Sequence, residues 1–538
     1  MSEPWWRNAA VYQVYPRSFM DASGDGNGDL AGVIERLPYL ARLGIDAIWL
    51  SPFYPSPQLD GGYDVADPRD VDPLYGTLDD ARALIERAHA HGLRVIVDVV
   101  PNHFSTEHPW FQAAIAAGDG APERERFHFR EGRGPEGAEP PNNWTSIFGG
   151  PAWTRVTEAD GTPGQWYLNL FDSSQADLNW THPDVADDFL STLRFWLDLG
   201  VDGFRVDVAF GLAKDMTYAD ALDPTALETE RVRLDSTEPG EQEATHEQVF
   251  QSPYLDRDET LGYYLDWRRV LESYPGDRMA VGEAWLTPER ARRYVAGDGL
   301  HQIFTFDFLA TPWQADALRR VIAGTVDGLA PQLPAWAISN HDIARVVTRM
   351  GGGDTGLHRA RALALLAHAL PGSVYVYQGE ELGLPDADIP PDRRQDPIWF
   401  RSGGEYPGRD GARVPLPWSG DAPPYGFGSA DSWLPQPTGW ANLTVHTQEG
   451  DPASTLALYR SSLQLRRTHS GLADSHAFRL LDAGPDLVAF ERGDGFVSIT
   501  NCAAQARECP VDGVALLSSQ PLLTSGQIPP DTTVWLQT

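Results

Sequence analysis

The sequence predicts an α/β fold: a (β/α)8 TIM barrel with a small domain inserted after its third strand and an antiparallel β-domain at its C-terminus. Three observations favour this fold: short β-rich segments along the chain, amphipathic helical segments between them, and alternating apolar segments near the C-terminus. Strand–helix alternation with strands that are apolar throughout is typical of a parallel sheet covered by helices. Eight such units in one chain predict a barrel.

The eight predicted strands are short, apolar and rich in β-forming residues. They comprise residues 10–16, 46–52, 94–100, 203–208, 279–285, 303–308, 335–340 and 374–379. Amphipathic helices are predicted over 34–44, 79–92, 185–200 and 454–469. The first three of these helices end in glycine, a common signal at a helix C-terminus.

The domain boundaries follow from changes in composition. The barrel is predicted to comprise residues 1–103 and 177–470. Residues 104–176 are rich in Gly, Pro, Asn and Trp; because a structureless loop of that length is unusual, we expect a small inserted domain on the C-terminal face of the barrel. A second irregular stretch, 384–450, is expected to fold over the same face. Residues 471–538 are expected to form the C-terminal β-domain.

Composition excludes several classes of function. The chain of 538 residues has a formal net charge of −34, and a nucleic-acid partner is not expected because phosphate binding requires a basic surface. No stretch of about 18 apolar residues is present, so no membrane partner is expected. The N-terminus lacks a basic segment followed by an apolar core, which predicts a cytoplasmic protein. Cys502 and Cys509 indicate neither a disulfide framework nor a zinc site.

Polar side chains cluster where the predicted strands end. The C-terminal ends of parallel barrel strands meet at one rim, where functional residues gather. The residues at these ends, and in the loop after strand two, are Tyr63, Asp64, Asp98, Asn102, His103, Arg205, Asp207, Glu283, His341 and Asp342. Carboxylates at successive strand ends, together with histidines, predict an active site rather than a set of unrelated loop residues.

The strand-end motifs resemble the four signature regions of the α-amylase family of glycoside hydrolases (glycoside hydrolase family 13). They read DVVPNH, GFRVDVAF, GEAW and SNHD, and two further family stretches read QADLNW and QGEELG. Within the family, the segment WWRNAAVYQVYPRSFMDASGDGNGDLAG and the stretch GRDGARVPLPW resemble the α-glucosidase and oligo-1,6-glucosidase branch. The similarity extends over essentially the whole chain. It implies a hydrolase that takes short α-glucosides from their non-reducing ends.

The resemblance implies a retaining mechanism with three carboxyl groups. Asp207 is expected to be the nucleophile, Glu283 the general acid and then base, and Asp342 the third carboxylate, which binds sugar hydroxyls. Retention requires two carboxyl groups about 5 Å apart, one ionised and one protonated. Arg205 lies two residues before Asp207 on the same strand and points to the same side. Its charge is therefore expected to lower the pKa of Asp207 and keep this carboxylate ionised.

The resemblance also implies a closed pocket for one terminal glucose. The expected sugar-binding residues are Tyr63, Asp64, His103, Arg205, His341 and Arg409, with Phe148 and Phe171 at the entrance. Asp64 and Arg409 are expected to pair at the bottom of the pocket and to bind the non-reducing O4 and O6. His103 and His341 are expected to donate hydrogen bonds to the sugar, and Tyr63 to stack on its apolar face. For the two phenylalanines a core role is equally compatible with the sequence.

One loop near the N-terminus has the spacing of a metal site. Its oxygen donors stand at alternate positions: Asp21, Ser23, Asp25, Asn27 and Asp29. Such spacing lets one turn direct several oxygens at a hard cation, although the distal Glu of an EF-hand is missing. The resemblance implies one structural Ca²⁺ or Mg²⁺ here, with Asn27 offering its backbone carbonyl, and no organic cofactor.

The leading expectation is a retaining exo-acting α-glucosidase. It would release α-glucose from maltose, isomaltose or sucrose through a covalent glucosyl-Asp207 intermediate, with transglucosylation as a side activity. A transglucosylase, sucrose isomerase or trehalose synthase of the same family is the alternative, because only the acceptor differs. Acceptor choice is expected to depend on loops 210–262 and 384–450. An endo-acting amylase and a non-catalytic relative fit the motifs less well, and a monomer or weak homodimer is expected.

The linkage that is cut stays open. In relatives, a Val after the nucleophile goes with α-1,6 cleavage and a Thr with α-1,4 cleavage, and here the residue is Val208. However, the surrounding stretch DVAFGLAKD also resembles maltose-active members of the family.

Overall fold

The computed structural model describes residues 3–224, 252–473, 476–523 and 526–538. Eight strands form one parallel sheet with the order β11-β10-β9-β3-β2-β1-β13-β12. Their bounds are β1 Ala10–Val14, β2 Ala47–Leu50, β3 Arg94–Val99, β9 Gly203–Val206, β10 Met279–Gly282, β11 Gln302–Ile303, β12 Ala335–Ala337 and β13 Ser373–Tyr377. A parallel bridge between Phe304 and Ala335 joins the two ends of the sheet. The predicted barrel is therefore confirmed.

Helices cover the outside of the barrel. The longer ones are Leu30–Leu43, Leu78–Ala90, Pro183–Leu199, Asp258–Glu272, Ala315–Leu329, Gly353–Ala369 and Thr455–Thr468, and shorter ones are Pro109–Ala117, Pro288–Val295, Phe306–Ala310, Val346–Arg349, Pro397–Arg401, Val445–Glu449 and Ser470–Ala473. Their ends carry the expected local signals. Asp29 caps the first helix by accepting from the Gly32 amide, and Gly44 ends it with a left-handed φ of 96°, a conformation that glycine adopts without strain.

The barrel strands are buried on both faces. Their side chains alternate between an apolar cluster inside the barrel, which includes Val11, Ile96 and Val281, and a larger cluster beneath the helices. This alternation explains why the strands read as nearly continuous apolar segments. No helix among the described residues is long and apolar enough to cross a membrane.

The segment between β3 and β9 leaves the barrel and returns to it. It contains β4 His103–Ser105, β5 Phe129–Arg130, β6 Trp153–Thr157, β7 Pro163–Leu168 and β8 Gln175–Asp177. Strand β4 pairs antiparallel with β8, so that His103 lies opposite Asp177. The other three strands form a separate sheet with the order β5-β7-β6. The β4–β8 pair thus holds both ends of the inserted segment beside the rim of the barrel.

The C-terminal part of the chain forms an antiparallel sheet, as predicted. Its strands are β14 Arg479–Leu481, β15 Leu487–Glu491, β16 Phe496–Asn501, β17 Val514–Ser518 and β18 Thr532–Gln537, and their order is β14-β15-β16-β18-β17. The buried Trp535 donates its indole N–H to the Leu365 carbonyl of a barrel helix. The two domains are therefore packed directly against each other.

The predicted strands extend too far at their C-terminal ends. Strand β9 ends at Val206 and β10 at Gly282, so Asp207 and Glu283 are the first residues beyond their strands. The largest difference is at 303–308, where the strand stops at Ile303 and a short helix begins at Phe306. A short apolar run fits both helical and extended periods, which explains this error. Asp207 and Glu283 consequently lie just beyond the strands, whereas Asp98 and Arg205 lie within the last residues of β3 and β9.

Candidate active site

Arg205 holds two carboxylates side by side at the barrel mouth. Its Nη1 lies 2.5 Å from Asp207 Oδ1, and its Nη2 lies 2.7 Å from Glu283 Oε2. The side chain of Arg205 is almost fully buried, whereas those of Asp207 and Glu283 retain 8% and 11% of their exposure. Neighbouring strands β9 and β10 supply this pair, and both carboxylates face the opening of the barrel.

Asp98 is a third carboxylate on the same guanidinium. Its Oδ1 lies 3.0 Å from Arg205 Nη1, and its Oδ2 accepts hydrogen bonds of 3.1 Å from both Trp49 Nε1 and Tyr63 Oη. Asp98 is fully buried, and burial raises its pKa to about 6 although Arg205 opposes the rise. Asp98 is thus an internal support for Arg205 rather than a group that reaches the opening.

The expectation that Arg205 lowers the pKa of Asp207 overall is wrong. Burial raises the pKa of Asp207 well above the usual value, Arg205 opposes this rise, and the carboxylates of Glu283 and Asp98 add to it. The guanidinium two residues away is visible in the sequence, but the depth of burial is not. One guanidinium among three buried carboxylates does not balance their charge, so the group favours a state that retains a proton.

A strained turn directly after β9 hydrogen-bonds to Glu283, the residue that follows β10. Val208 has a φ of +42°, in the left-handed region where a β-branched residue is a true outlier. This conformation directs the Val208 amide to Glu283 Oε2 at 3.1 Å, and the Ala209 amide to the Glu283 carbonyl at 2.8 Å. Glu283 Oε2 is therefore fixed by Arg205 and Val208.

His341 and Asp342 join the same pocket from the loop after β12. The His341 ring stacks on Tyr63 with centroids 5.1 Å apart and planes 7° from parallel. Its Nδ1 faces Gln13 Nε2 at 2.7 Å, and its Nε2 lies 3.2 Å from Asp342 Oδ2. Burial keeps the pKa of His341 well below its usual value. A neutral ring that accepts at Nδ1 leaves its Nε2–H to donate towards the pocket.

Arg409 and Arg413 bind the other side of Asp342. Arg409 Nη1 and Arg413 Nη2 lie 3.0 and 3.1 Å from Asp342 Oδ1. Burial favours the neutral form of this carboxyl, but the facing N–H of the neutral His341 ring and the charges of the two guanidinium groups keep its pKa well below the usual range. Asp342 is therefore ionised, and its side chain is 25% exposed.

The predicted pair between Asp64 and Arg409 is wrong. Arg409 Nη2 lies 2.6 Å from Asp60 Oδ1. Asp64 points away and accepts hydrogen bonds from Ser56 Oγ and from the amides of Leu59 and Asp60. Burial raises the pKa of Asp64 to about 7. Because both aspartates lie in one tight loop, the residue type was predicted correctly but the position was displaced by one turn.

The inserted segment contributes His103, Gln175 and Phe171 to the pocket. His103 Nε2 lies 3.1 Å from the Tyr63 carbonyl, and burial lowers the pKa of this ring to about 3. Gln175 Nε2 donates to Asp60 Oδ2 at 3.0 Å and lies 3.1 Å from His103. The Phe171 ring packs on His103 at 5.2 Å. A chain of contacts thus joins His103, Gln175, Asp60 and Arg409.

Phe148 lies between Arg409 and Phe171. The Arg409 guanidinium lies over its ring at 4.9 Å, and the ring meets Phe171 edge-on at 5.5 Å. Both phenylalanines lie beside residues of the pocket, as expected. The remaining predicted sugar-binding residues, Asp64 excepted, are joined in one continuous network of side chains.

Four residues of the site were not predicted as binding residues: Asp60, Gln175, Asp396 and Arg413. Gln175 begins β8, and the other three lie in irregular loops. Gln175 and Arg413 belong to the recognised stretches QADLNW and GRDGARVPLPW, whereas Asp60 and Asp396 lie outside every recognised stretch. Lys214, the single lysine of the chain, was not among the predicted site residues. Its position seven residues after Asp207 was the available signal.

Lys214 is fully buried behind the catalytic turn. Its Nζ lies 3.0 Å from Asp177 Oδ1 and 2.7 Å from Asn102 Oδ1, and it also donates to the Gly211 carbonyl. These three oxygens belong to β8 of the insertion, the loop after β3 and the loop after β9. Lys214 therefore fastens the inserted segment to two barrel loops.

The predicted metal loop is held by backbone hydrogen bonds. Asp21 accepts from the amides of Gly24 and Gly26, while Asp29 accepts from those of Ala22, Ser23 and Gly32. Asp25 accepts from the amide of Asn27, whose Oδ1 binds Arg17. In the described part of the chain, no group of three or more His, Cys, Asp or Glu side chains is arranged to hold a metal. The oxygens suit a hard cation chemically, but these acidic side chains do not converge, so the metal site stays a prediction.

The arrangement suits nucleophilic substitution at an acetal carbon. Two carboxyl groups on one guanidinium share a limited number of protons, so one is available to attack and one to protonate a leaving oxygen. Opposite them, an ionised aspartate and two guanidinium groups present acceptors and donors to hydroxyl groups.

Comparisons with known proteins agree with this chemistry. A family model described as the alpha-amylase catalytic domain matches residues 13–475. The chain is 41% identical over 503 residues to a probable alpha-glucosidase of Rhizobium meliloti (strain 1021), covering 91% of this chain and 87% of that protein. It is 33% identical over 544 residues to an oligo-1,6-glucosidase of Parageobacillus thermoglucosidasius, covering 93% and 91%. The solved structure of the alpha-glucosyl transfer enzyme XgtA superposes with a TM-score of 0.87 at 34% identity, over 99% of both chains.

Proposed function

The chain belongs to the α-amylase family of glycoside hydrolases, and from this premise we propose that it is a retaining exo-acting α-glucosidase. It releases α-glucose from the non-reducing end of short α-glucosides, namely maltose, isomaltose and sucrose. Its full-length similarity to an alpha-glucosidase and an oligo-1,6-glucosidase supports this substrate class.

The observation that carries the proposal is the bridging of two carboxylates by one guanidinium. Arg205 contacts Asp207 at 2.5 Å and Glu283 at 2.7 Å through neighbouring nitrogens. Retention requires two carboxyl groups about 5 Å apart, whereas inverting enzymes leave room for a water between theirs. A single guanidinium held between Asp207 and Glu283 favours the shorter separation.

The steps follow from the positions of these groups in the state in which the shared proton lies on Glu283 and Asp207 is ionised. Asp207 attacks the anomeric carbon of the bound glucose and forms a glucosyl ester, while Glu283 donates its proton to the departing oxygen. Glu283 then accepts a proton from water, which attacks the same carbon and displaces Asp207. Asp342, Arg409 and Asp60 hold the hydroxyl groups of the glucose during both displacements. Two inversions at one carbon give net retention.

The stereochemistry of the product tests the proposal. We expect α-glucose as the first product from maltose, isomaltose or sucrose, and no release of glucose from internal bonds of starch. Proton NMR recorded within the first minutes separates the anomers before mutarotation. β-Glucose as the first product would exclude the retaining mechanism, and the relative rates on the three disaccharides would assign the linkage.

The second candidate function is sugar transfer or isomerisation, which the similarity to the alpha-glucosyl transfer enzyme XgtA favours. The glucosyl-Asp207 ester would then react with a sugar hydroxyl instead of water. Of the loops expected to choose the acceptor, residues 225–251 lie outside the described residues. Disaccharide isomers or longer oligosaccharides as the main products of the same NMR experiment would favour this function.

We further propose that Ca²⁺ binds the loop of residues 21–29. Its support is the alternation of oxygen donors, which suit a hard cation. We expect EDTA to lower the melting temperature by several degrees and Ca²⁺ to restore it, because a ligand that binds only the folded state stabilises it. An unchanged melting temperature for the protein and for an Asp25→Ala variant would contradict the site.

A further inference from the structure

We propose that Asp396 is a positioning residue that fixes Arg409 and thereby sets the affinity of the pocket for the terminal glucose. This inference rests on the proposed function, because it concerns the glucose pocket of the same site. Asp396 lies in the irregular stretch after β13, outside every motif that the sequence analysis identified.

Asp396 makes more contacts with Arg409 than any other carboxylate does. Its Oδ2 accepts from the backbone amide and from Nε of Arg409, each at 2.7 Å. Its Oδ1 lies 3.2 Å from Arg409 Nη2 and accepts from the Ile398 amide at 2.9 Å. Arg409 Nη2 also donates to Asp60, and its Nη1 donates to Asp342. Asp396 thus fixes both the backbone amide and Nε of Arg409, while Asp60 and Asp342 contact the terminal nitrogens Nη2 and Nη1.

Burial separates the role of Asp396 from that of the sugar-binding groups. Its side chain is 0% exposed, whereas that of Asp342 is 25% exposed. All of its oxygens already accept hydrogen bonds, so Asp396 does not reach a sugar. Its influence on the reaction therefore passes through Arg409.

The surrounding loop is built around this carboxylate. A Cβ on Gly408, whose φ is +70°, would lie 2.8 Å from the Asp396 Cβ and Cγ. Only glycine lets the backbone before Arg409 approach so closely. Asp396 also caps the helix Pro397–Arg401, whose Arg401 reaches the Gly149 carbonyl next to Phe148. The same residue thus connects Arg409 to the ring beneath its guanidinium.

The charges agree with the geometry. Burial alone would lower the pKa of Arg409, but Asp396 first, then Asp60 and Asp342, keep it well above its ordinary value. In turn, burial would raise the pKa of Asp396, but Arg409 and Arg413 keep it below the usual value. This ion pair is therefore charged on both sides at neutral pH.

Two substitutions separate positioning from folding. Asp396→Asn places an amide N–H against the donors of Arg409 or Ile398. Asp396→Ser keeps an oxygen that caps the helix, because serine is a good capping residue, but removes the contacts with Arg409. For both variants we expect KM for an aryl α-glucoside to rise about 30-fold, which corresponds to the loss of one charge-assisted hydrogen bond. We expect kcat to change less than about threefold.

Asp410→Asn is the matched control. Asp410 is buried in the same loop, and its Oδ2 accepts from the amides of Gln395 and Asp396 without contacting Arg409. An amide oxygen in its place retains both contacts. We expect KM of this variant within about twofold of wild type.

Glucosides that lack the 4-hydroxyl or the 6-hydroxyl test whether Asp396 acts through Arg409. A purely structural role of Asp396 would leave the loss of affinity caused by the missing hydroxyl unchanged. If Asp396 acts through Arg409, the penalty for the missing hydroxyl falls about tenfold in the Asp396 variants, because the two losses affect one interaction. Calorimetric binding of glucose and its deoxy analogues gives the same comparison without turnover. An equal penalty in wild type and variants would overturn the positioning role. Absence of α-glucosidase activity in the wild type would instead overturn the proposed function, and the binding data would still decide on Asp396.

Discussion

Asp207→Asn is expected to reduce hydrolysis of α-glucosides by about four orders of magnitude, which corresponds to about 5.5 kcal/mol of activation free energy. The amide has the shape of the carboxylate but does not form the glucosyl ester. Folding is expected to survive, since the substitution leaves two carboxylates instead of three around Arg205. Steady-state kinetics and thermal unfolding of the same preparation measure both effects.

Azide provides the matching control for the nucleophile. In an Asp207→Gly variant the space beneath the anomeric carbon is open, and azide is expected to attack there and to restore turnover of an activated α-glucoside. One displacement inverts the centre, so the product is the β-glucosyl azide. Retained activity in Asp207→Asn, or an α-azide from Asp207→Gly, would refute the assignment of Asp207.

Lys214→Met is expected to destabilise the protein by about 3–5 kcal/mol. The variant leaves Asp177 and Asn102 buried without the cation that they share. With roughly 2 °C per kcal/mol for a large domain, the melting temperature is expected to fall by about 6–10 °C. Differential scanning calorimetry and denaturant unfolding measure this loss.

A second substitution tests the origin of the effect. Adding Asp177→Asn to Lys214→Met removes the unpaired charge, so part of the lost stability is expected to return. Lys214→Arg is expected to remain destabilised, because a planar guanidinium does not fit three oxygens arranged for an ammonium. A Lys214→Met variant as stable as wild type would show that Lys214 does not fasten the insertion.

The sequence predicted best the residues that directly follow regular elements. Asp207 and Glu283 were located because apolar strands precede them, and the strand ends of a barrel meet at one rim. The ion pair of Arg409 was placed on the wrong aspartate, since Asp60 and Asp64 lie in one loop whose turns no periodicity describes. The role of Asp396 was not predicted at all, because its partner is thirteen residues away across irregular backbone.

The direction of the Asp207 pKa shows a second limit. A neighbouring arginine is visible in the sequence at position 205, but the depth at which the pair is buried is not. The three-dimensional packing around Arg205, with Asp98 and Glu283 at the same guanidinium, decides the balance between desolvation and attraction.

The pairing of β1 with β13 has a consequence for synthesis on the ribosome. Ala10 lies opposite Val374, so the edge of the first strand stays unpaired until more than two thirds of the polypeptide has been translated. Arg409 and Arg413 emerge later still, and both contact Asp342. The nascent chain therefore keeps one edge of its first strand unpaired throughout most of its elongation, and such unpaired edges favour aggregation. The ion pairs around Asp342 therefore form only after more than three quarters of the polypeptide has been translated.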